Sequence, residues 1–262
     1  MIWPSHLWAW GGLPLSDNNS KAIMLGHPSY VWRFGQDRRL DMINHYAPLA
    51  DKTVLDVGCG IGIYVRKMAA SSRIACGVDL DEDKISRAHE SLPHVCVALA
   101  EHLPFPDDSF DVLLLHEIIE HVQDDRLSVR EACRVLRPGG RVVIFAPNQL
   151  YPFETHGAYW GGRYHAGNIP LVNYLPDAWR QRCCPHVRAY TRGSLRALYQ
   201  GLPLRVIVHT QIYPGYDKIA ARFPSGAGIL RRLTYFLENT PLRLFGLSHL
   251  LVLEKLRPGE MV

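Results

Sequence analysis

A glycine-rich turn between an apolar strand and a helix most constrains the fold of this 262-residue chain. Residues 53–57 form a short β-branched run, and three glycines follow it within five positions: Gly58, Gly60 and Gly62. Glycine lets the backbone approach a ligand without a Cβ in the way. The helix predicted over 63–70 directs its free N–H groups toward the same place. The pattern therefore predicts a ligand-binding turn at the edge of an α/β sheet.

Two acidic residues indicate which kind of ligand the turn accepts. The turn lacks the third glycine of the G-x-G-x-x-G dinucleotide fingerprint, because Ile63 stands at that position. Asp56, just before the turn, would repel a pyrophosphate and attract a cationic group. Asp79 ends the next predicted strand, where a carboxylate can accept hydrogen bonds from both ribose hydroxyls of an adenosine. Asp81 is the better placed of the two to cap the following helix.

Strands and helices alternate along the middle of the chain. Strands are predicted over 53–57, 74–80, 95–99, 110–116 and 141–146, with helices over 63–70, 82–91 and 127–136. Residues 138–140, Pro-Gly-Gly, are predicted to form a turn. Further elements are predicted over 191–200, a helix with Thr191 as N-cap and Gly201 after its end, and over 204–212 and 248–255, two strands. This alternation predicts an α/β domain with a mainly parallel sheet.

In combination, these motifs resemble the class I S-adenosylmethionine-dependent methyltransferases, of the small-molecule, methyltransferase type 11-like kind. The resemblance covers about residues 50–147 and rests on five segments: VLDVGCGIG (54–62), GVDLD (77–81), AEHLPFPDDSFD (100–111), EIIEHV (117–122) and REACRVLRPGGRVVIFAPN (130–148). It implies a Rossmann-like, seven-stranded, mostly parallel sheet of order 3-2-1-4-5-7-6, with helices on both faces, an antiparallel last strand and a C-terminal cap or insertion. It also implies S-adenosylmethionine as cofactor.

The resemblance assigns roles in cofactor binding by position. The glycine turn would pack on the methionine part, Asp79 would bind the ribose, and Leu80 would flank the adenine. The residues expected to bind the cofactor are Asp56, Gly58, Cys59, Gly60, Asp79, Leu80, Ala100, Glu101 and His116. Leu99 stands where many members carry an aspartate. The contact with the adenine amine therefore falls to Glu101, to His102 or to a backbone carbonyl.

The candidate catalytic residues are four: His116, Glu117, His121 and His156. Methyl transfer from a sulfonium needs alignment, and it needs a base only if the acceptor must lose a proton. His116 and Glu117 end the fourth strand, at the edge where open α/β sheets bind ligands. His121 belongs to a Glu-His pair that is frequent in the family, and His156 lies with Glu154 on a loop expected to cover the pocket.

The expected organisation is one domain with five parts. These are an N-terminal arm (1–27), a cap helix (28–50), the cofactor-binding core (51–149), a substrate cap (150–203) and C-terminal strands with a basic helical insertion (204–262). Aromatic residues are expected to line the pocket: Tyr30, Trp32, Tyr151, Phe153, Tyr159, Trp160 and Tyr164.

Charge is unevenly distributed along the chain. Residues 180–262 carry thirteen basic and four acidic side chains, a net charge of +9, whereas the whole chain carries +4. This excess favours an anionic partner, although plain solubility charge explains it equally well. Basic and apolar residues are mixed at near-helical spacing over 216–245, an arrangement that can lie on an anionic membrane surface. A helix packed on its own domain, with arginines in water, is the alternative.

Cysteine usage and the absence of a signal sequence predict a cytoplasmic protein. The six cysteines are scattered and mostly lie in apolar runs, as expected of reduced thiols. Cys183, Cys184 and His186 lack the spacing of a metal site, so no metal is expected. No secretory signal and no apolar stretch of membrane-spanning length is present in the sequence.

We therefore predict a methyltransferase that acts at oxygen or nitrogen of a small-molecule, lipid-linked or glycan-linked acceptor, which can be anionic. RNA methylation is the first alternative, although no Asn/Asp-Pro-Pro-aromatic motif follows the fourth strand and no RNA-binding module is visible. A non-catalytic cofactor-binding or partner module is the second, and the intact glycine turn with Asp79 argues against it. The sequence leaves the acceptor and the oligomeric state open.

Overall fold

The computed structural model describes residues 33–260. The strands of this part are β1 (Thr53–Val57), β2 (Ile74–Asp79), β3 (Val95–Val97), β4 (Phe110–His116), β5 (Leu136–Pro147), β6 (Phe153–Glu154), β7 (Ala158–Trp160), β8 (Arg163–His165), β9 (Ile169–Pro170), β10 (Leu204–Ile212) and β11 (Ser248–Lys255). The helices are α1 (Phe34–Tyr46), α2 (Ile63–Ala69), α3 (Glu82–His89), α4 (Asp125–Val135), α5 (Asp177–Cys183), α6 (Arg192–Tyr199), α7 (Asp217–Arg222) and α8 (Pro224–Leu237), with 3-10 turns at Val172–Tyr174 and Pro241–Phe245.

Seven strands form the central sheet, in the order β10-β11-β5-β4-β1-β2-β3. Strands β1 to β5 pair in parallel, and β11 runs antiparallel to both β5 and β10. The predicted Rossmann-like fold, its strand order and its antiparallel last strand are confirmed. Consecutive parallel strands require helical crossovers, which place helices on both faces of the sheet.

Alternation along β4 shows how the sheet buries both of its faces. Leu113 and Leu115 pack on one side with Val129 of α4, whereas Val112 and Leu114 pack on the other with Val65 of α2. Because both faces are covered, the strand is nearly all apolar, as its sequence indicates. The carboxyl ends of β1, β2 and β4 therefore meet at one edge of the sheet, where their following loops converge.

Two predicted elements differ from the structure. The expected turn at 138–140 lies inside β5 as an irregularity, because six residues of β5, from Leu136 to Arg141, lie opposite three residues of β4, from Phe110 to Val112. The pairing resumes beyond it, so the strand continues. The basic helical insertion predicted within 204–262 is two helices rather than one, because the non-helical backbone of Phe223 ends the first and Pro224 starts the second.

The cap contains more secondary structure than its irregular sequence suggests. Strands β6 and β9 form one small antiparallel sheet, and β7 and β8 form another. A separate apolar cluster holds them to α5 through Ala158, Val172, Cys184 and Val187. The expected helix in 28–50 is present as α1, whereas the arm at 1–27, Tyr30 and Trp32 lie outside the described residues. None of the helices within residues 33–260 is long and apolar enough to span a membrane.

Candidate active site

The glycine turn after β1 holds all three of its glycines in left-handed backbone conformations, with φ of 78° at Gly58, 57° at Gly60 and 76° at Gly62. A Cβ at Gly58 would lie 2.7 Å from Ile118, and one at Gly62 would lie 2.2 Å from Leu92, so these two positions are closed by packing. A Cβ at Gly60 would meet only Lys84, at 3.9 Å. Gly60 is therefore the glycine whose surface is open to a ligand.

Asp79, at the end of β2, is joined to this turn. Its Oδ2 accepts a hydrogen bond from the backbone N–H of Gly60 at 2.8 Å, and its Oδ1 accepts one from Asp81 at 2.9 Å. Asp81 caps α3 by accepting from the N–H of Lys84 at 3.1 Å, as the sequence predicts. The Asp79 carboxylate is thus fixed and retains lone pairs for hydroxyl donors. The neighbouring side chain of Leu80 is 65% exposed, so its surface is open to a ligand.

Asp56 lies beneath the turn as a buried carboxyl group. Burial raises its pKa well above the usual range, and the charge of Asp79 adds to this effect. Burial likewise raises the pKa of the Cys59 thiol, so that cysteine is neutral. A cationic group bound beside Asp56 would compensate its charge. These features fit the ribose and the ammonium group of S-adenosylmethionine.

The residues expected on the far side of the adenine have additional contacts. Glu101 is buried, and its Oε1 accepts hydrogen bonds from the backbone N–H groups of Gln123 at 2.8 Å and Asp124 at 3.2 Å. Glu101 therefore holds the loop that follows β4. Ala100 is buried beside it, and Leu99 forms an isolated bridge with His102. Their roles at the adenine remain predictions.

An arginine from the N-terminal helix occupies the end of β4. Arg39 of α1 donates to Nε2 of His116 at 2.7 Å and forms an ion pair with Oε1 of Glu117 at 2.9 Å. Ser248 donates to the same carboxylate at 2.7 Å. Sequence reasoning missed Arg39, because it lies 77 residues away from the strand it contacts and belongs to no motif.

These contacts set the protonation of His116 and Glu117. Burial, together with the charge of Arg39, lowers the pKa of His116 to about 3. Burial would raise the pKa of Glu117, but the charge of Arg39 and the hydrogen bond from Ser248 outweigh it and help lower that pKa to about 2. At neutral pH His116 is uncharged with its lone pair engaged, and Glu117 is a weakly basic carboxylate. Neither is well suited to accept a proton.

The loop after β4 and the cap bring together Glu120, His121 and His156. One ligand atom from each lies within 4.8 Å of the others. The Glu120 carboxylate is buried, and neither of its oxygens has a hydrogen-bond donor among the described residues. Burial raises its pKa well above the usual range, and the charge of Glu117 adds to the rise. Burial and the neighbouring histidines lower the pKa of His121 to about 4, so that imidazole is neutral.

A buried ion pair in the cap orients His156. Its Nδ1 lies 3.0 Å from Oε1 of Glu154, whose other oxygen accepts from Arg180 at 2.6 Å. Arg180 is itself buried and also donates to the carbonyl of Val187 at 3.0 Å. The Glu154–His156 pair is visible in the sequence, whereas Arg180 is not, because nothing local marks it as a buried partner.

A cleft of about 680 Å³ opens between this cluster and the cap. Its lining is mixed, and its polar and charged members include Glu120, His121, Gln149, Asp177, Gln181 and Arg188. Of the expected aromatic residues that the structure describes, none lines this cleft. Tyr159 and Tyr164 instead pair with each other in the cap, with ring centroids 5.4 Å apart.

A Rossmann-like sheet with a glycine turn and a fixed acid at the end of β2 defines a nucleoside-binding α/β protein. A family model described as a methyltransferase domain matches residues 55–144. The ubiquinone biosynthesis O-methyltransferase of Aromatoleum aromaticum is 34% identical over 186 residues, which cover 67% of this chain and 76% of that protein. The chain belongs to the class I S-adenosylmethionine-dependent methyltransferases, and the family uses S-adenosylmethionine as its cofactor.

Two further similarities concern the core and the fold. A probable S-adenosylmethionine-dependent methyltransferase of Mycolicibacterium smegmatis is 38% identical over 104 residues, and the chain spans only 40% of that relative's length. The crystal structure of an S-adenosylmethionine-dependent methyltransferase from Mesorhizobium loti superimposes with a TM-score of 0.57 at 21% identity, covering 82% of this chain and 96% of that one. This second similarity shows the fold alone.

Proposed function

We propose that this protein is an S-adenosylmethionine-dependent O-methyltransferase whose acceptor is a hydroxylated small molecule, free or linked to a lipid or glycan. One observation carries the proposal. The segment Glu117–His121 follows β4, beside the cofactor cradle that Gly60 and Asp79 form. It ends in the carboxylate of Glu120 and the imidazole of His121, which line the cleft under the cap. A cofactor cradle and an acceptor cleft thus share one loop.

The cradle residues bind and orient the cofactor. Asp79, fixed by two backbone N–H groups, accepts from the ribose hydroxyls, while Asp56 faces the ammonium group. Gly60 lets the backbone lie against the methionine part, because its surface carries no side chain. When bound, S-adenosylmethionine supplies a methyl group activated by a sulfonium centre.

The cap residues orient the acceptor. Transfer of the methyl group from the sulfonium centre to the acceptor's hydroxyl oxygen would give a methyl ether and S-adenosylhomocysteine. The hydroxyl proton leaves through the group formed by Glu120, His121 and His156. Most of the rate enhancement comes from alignment of the two reactants.

The lining of the cleft supports a hydroxylated acceptor. Gln149, Gln181 and Asp177 offer amide and carboxylate groups that hydrogen-bond to hydroxyls, and Arg188 adds positive charge for an anionic one. The relative from Aromatoleum aromaticum is named an O-methyltransferase, which agrees with transfer to oxygen.

We also propose that α7 and α8 rest on an anionic membrane surface. Ile229, Leu233 and Phe236 lie at helical spacing on one face of α8 and are 71%, 58% and 66% exposed. Arg222 and Arg232 are exposed beside this face. Arg231 is not available for lipid, because it donates to the carbonyl of Gly215 and lies 3.9 Å from the ring of Phe34. An acceptor linked to a lipid would then reach the cleft from the membrane.

A screen with methyl-labelled S-adenosylmethionine tests the function. The full chain is incubated with metabolite, lipid, glycan and RNA fractions, and label and S-adenosylhomocysteine are measured in each. We expect label in the metabolite, lipid or glycan fraction, as a base-stable ether. Label in RNA alone would establish the RNA alternative, and bound cofactor without any S-adenosylhomocysteine would indicate a non-catalytic binding module.

A further inference from the structure

We propose that Glu120, His121 and His156 bind one divalent transition-metal ion at the mouth of the cleft. The three side chains come from two parts of the chain, the loop after β4 and the cap, and they meet with one ligand atom each within 4.8 Å. A carboxylate with two imidazoles is a donor set that suits divalent transition metals such as Zn²⁺, Fe²⁺ and Co²⁺.

The buried carboxylate of Glu120 is the first argument. Neither oxygen has a donor among the described residues, although a buried carboxylate ordinarily needs one. Its acidic neighbour Glu117 brings no positive charge and raises the pKa of Glu120 further. The guanidinium group of Arg39 contacts Glu117, His116 and Ser248 instead. A cation bound between the two imidazoles would supply the missing charge.

The orientation of the two histidines is the second argument. His156 presents Nδ1 to Glu154, and His121 presents Nδ1 to the backbone carbonyl of His186 at 3.4 Å. With both Nδ1 atoms protonated, each Nε2 carries the free lone pair that a metal requires. A ligand histidine held by a carboxylate or a backbone carbonyl at its second nitrogen is the usual arrangement in metal sites. Arg180 extends this arrangement behind His156, because it donates a hydrogen bond to the Glu154 carboxylate.

The distances between the three side chains are longer than those between the ligands of a bound metal ion. Nε2 of His121 lies 4.0 Å from Oε1 of Glu120, and the imidazole centroids of His121 and His156 lie 5.3 Å apart. Ligands at metal bond lengths of roughly 2.0–2.2 Å in tetrahedral geometry are separated by about 3.5 Å. Side-chain rotations that close the group by about 1 Å would complete the site, and three protein ligands would leave open positions toward the cleft.

The metal ion would activate the acceptor in the proposed methyl transfer, and this role rests on the proposed function. With the ion bound, the three side chains would not accept the hydroxyl proton themselves. The cation would instead lower the pKa of an acceptor hydroxyl at the open position, which would lose its proton to solvent before the transfer. The oxygen would then attack the methyl carbon as a bound oxyanion. Binding of the ion itself does not depend on this role.

Calorimetric titration of the tag-free, chelator-treated full chain with Co²⁺ tests the site, together with its visible absorption, which distinguishes imidazole ligation from thiolate ligation. We expect one ion per chain and a spectrum without thiolate bands. His121→Ala, His156→Ala and Glu120→Gln should each weaken binding at least tenfold. The matched control is His165→Ala, because His165 is an exposed histidine of the same cap. Thermal unfolding and S-adenosylmethionine binding establish that each variant is folded.

Three results would overturn the metal site: no binding by the wild-type chain, wild-type affinity in the folded variants, or a thiolate spectrum. Methyl transfer is measured separately in the screen with and without added metal. Transfer by a chain that binds no metal would refute the site and leave the proposed function standing. Metal binding without transfer to any fraction would refute the function and leave the site standing.

Discussion

Nδ1 of His156 lies 3.0 Å from Oε1 of Glu154, in a cap that contains two small antiparallel sheets. The same carboxylate is held by the buried Arg180. Burial would raise the pKa of Glu154, but hydrogen bonds from His156 and the charge of Arg180 lower it, so the group stays ionised. A flexible loop could not hold such a network. His156 is therefore presented to the loop after β4 in one orientation.

Two glycines of the turn should respond differently to alanine. Gly62→Ala should lower the free energy of unfolding by more than the roughly 1–2 kcal/mol of left-handed strain, because its Cβ would collide with Leu92. Gly60→Ala should cost only that strain, because its surroundings are open, and should weaken cofactor binding instead. Urea unfolding and calorimetry of both variants check this. Equal stability losses would contradict the assignment of Gly60 as the ligand-facing glycine.

Asp79→Ala should weaken S-adenosylmethionine binding by roughly 1–3 kcal/mol, because buried hydroxyls of the ribose lose their acceptor. Asp81→Ala is the matched control. It removes the cap of α3 and should cost about 1 kcal/mol of stability, with little effect on affinity. Calorimetric titration of both variants separates the two roles. Unchanged affinity in Asp79→Ala would refute the ribose assignment.

The pair His209–His249 should make stability fall in mild acid. Burial is the main cause that lowers the pKa of each to about 4, from an ordinary 6.5. Between these values the unfolded chain binds protons that the folded chain excludes. The contribution of the two histidines to the free energy of unfolding is therefore fully present above pH 6.5. It falls as the pH drops toward 4, by roughly 1 kcal/mol per histidine per pH unit.

Urea unfolding between pH 7 and pH 4 measures this dependence. His209→Gln should flatten the profile, because the variant no longer places a titrating imidazole 3.2 Å from His249. His165→Gln, at an exposed position, should leave the profile as in the wild type. A profile in His209→Gln that matches the wild type would show that other groups cause the acid sensitivity.

The exposed face of α8 should bind anionic vesicles. Leu233→Ser combined with Phe236→Ser should reduce co-sedimentation with phosphatidylglycerol vesicles about tenfold, since the apolar face then has little to insert. Val206→Ser with Ile207→Ser is the control, because these side chains are also exposed but lie on the edge strand β10. Equal losses in both double variants, or equal binding to neutral vesicles, would count against a specific membrane face.

The parts of the molecule that depend on local sequence could be predicted. The glycine turn, the division of roles between Asp79 and Asp81, and the apolar strand 110–116 are each encoded within a few residues, by backbone freedom, helix capping or burial on both faces. The order of strands and helices along the chain predicted a mainly parallel α/β sheet, and the resemblance to the methyltransferase family implied the Rossmann-like strand order.

Long-range contacts could not be predicted in this way. Arg39 reaches His116 across 77 residues, and Arg180 reaches Glu154 across 26, so no local pattern marks either arginine as a buried partner. A turn was predicted at 138–140 because Pro-Gly-Gly favours one, whereas β5 pairs with β4 at Leu136 before this segment and with both β4 and β11 from Arg141 onward. Glu120 and His121 were visible as a pair, but His156 joins them only through the folded cap.

The amount of S-adenosylhomocysteine formed for each methyl ether produced tests the central claim most directly. The account predicts a one-to-one ratio in the fraction that contains the acceptor, and at low cofactor concentration a strongly reduced rate in Asp79→Ala but not in Asp81→Ala. S-adenosylhomocysteine at the level of the enzyme-free control in every fraction, with cofactor bound, would contradict it.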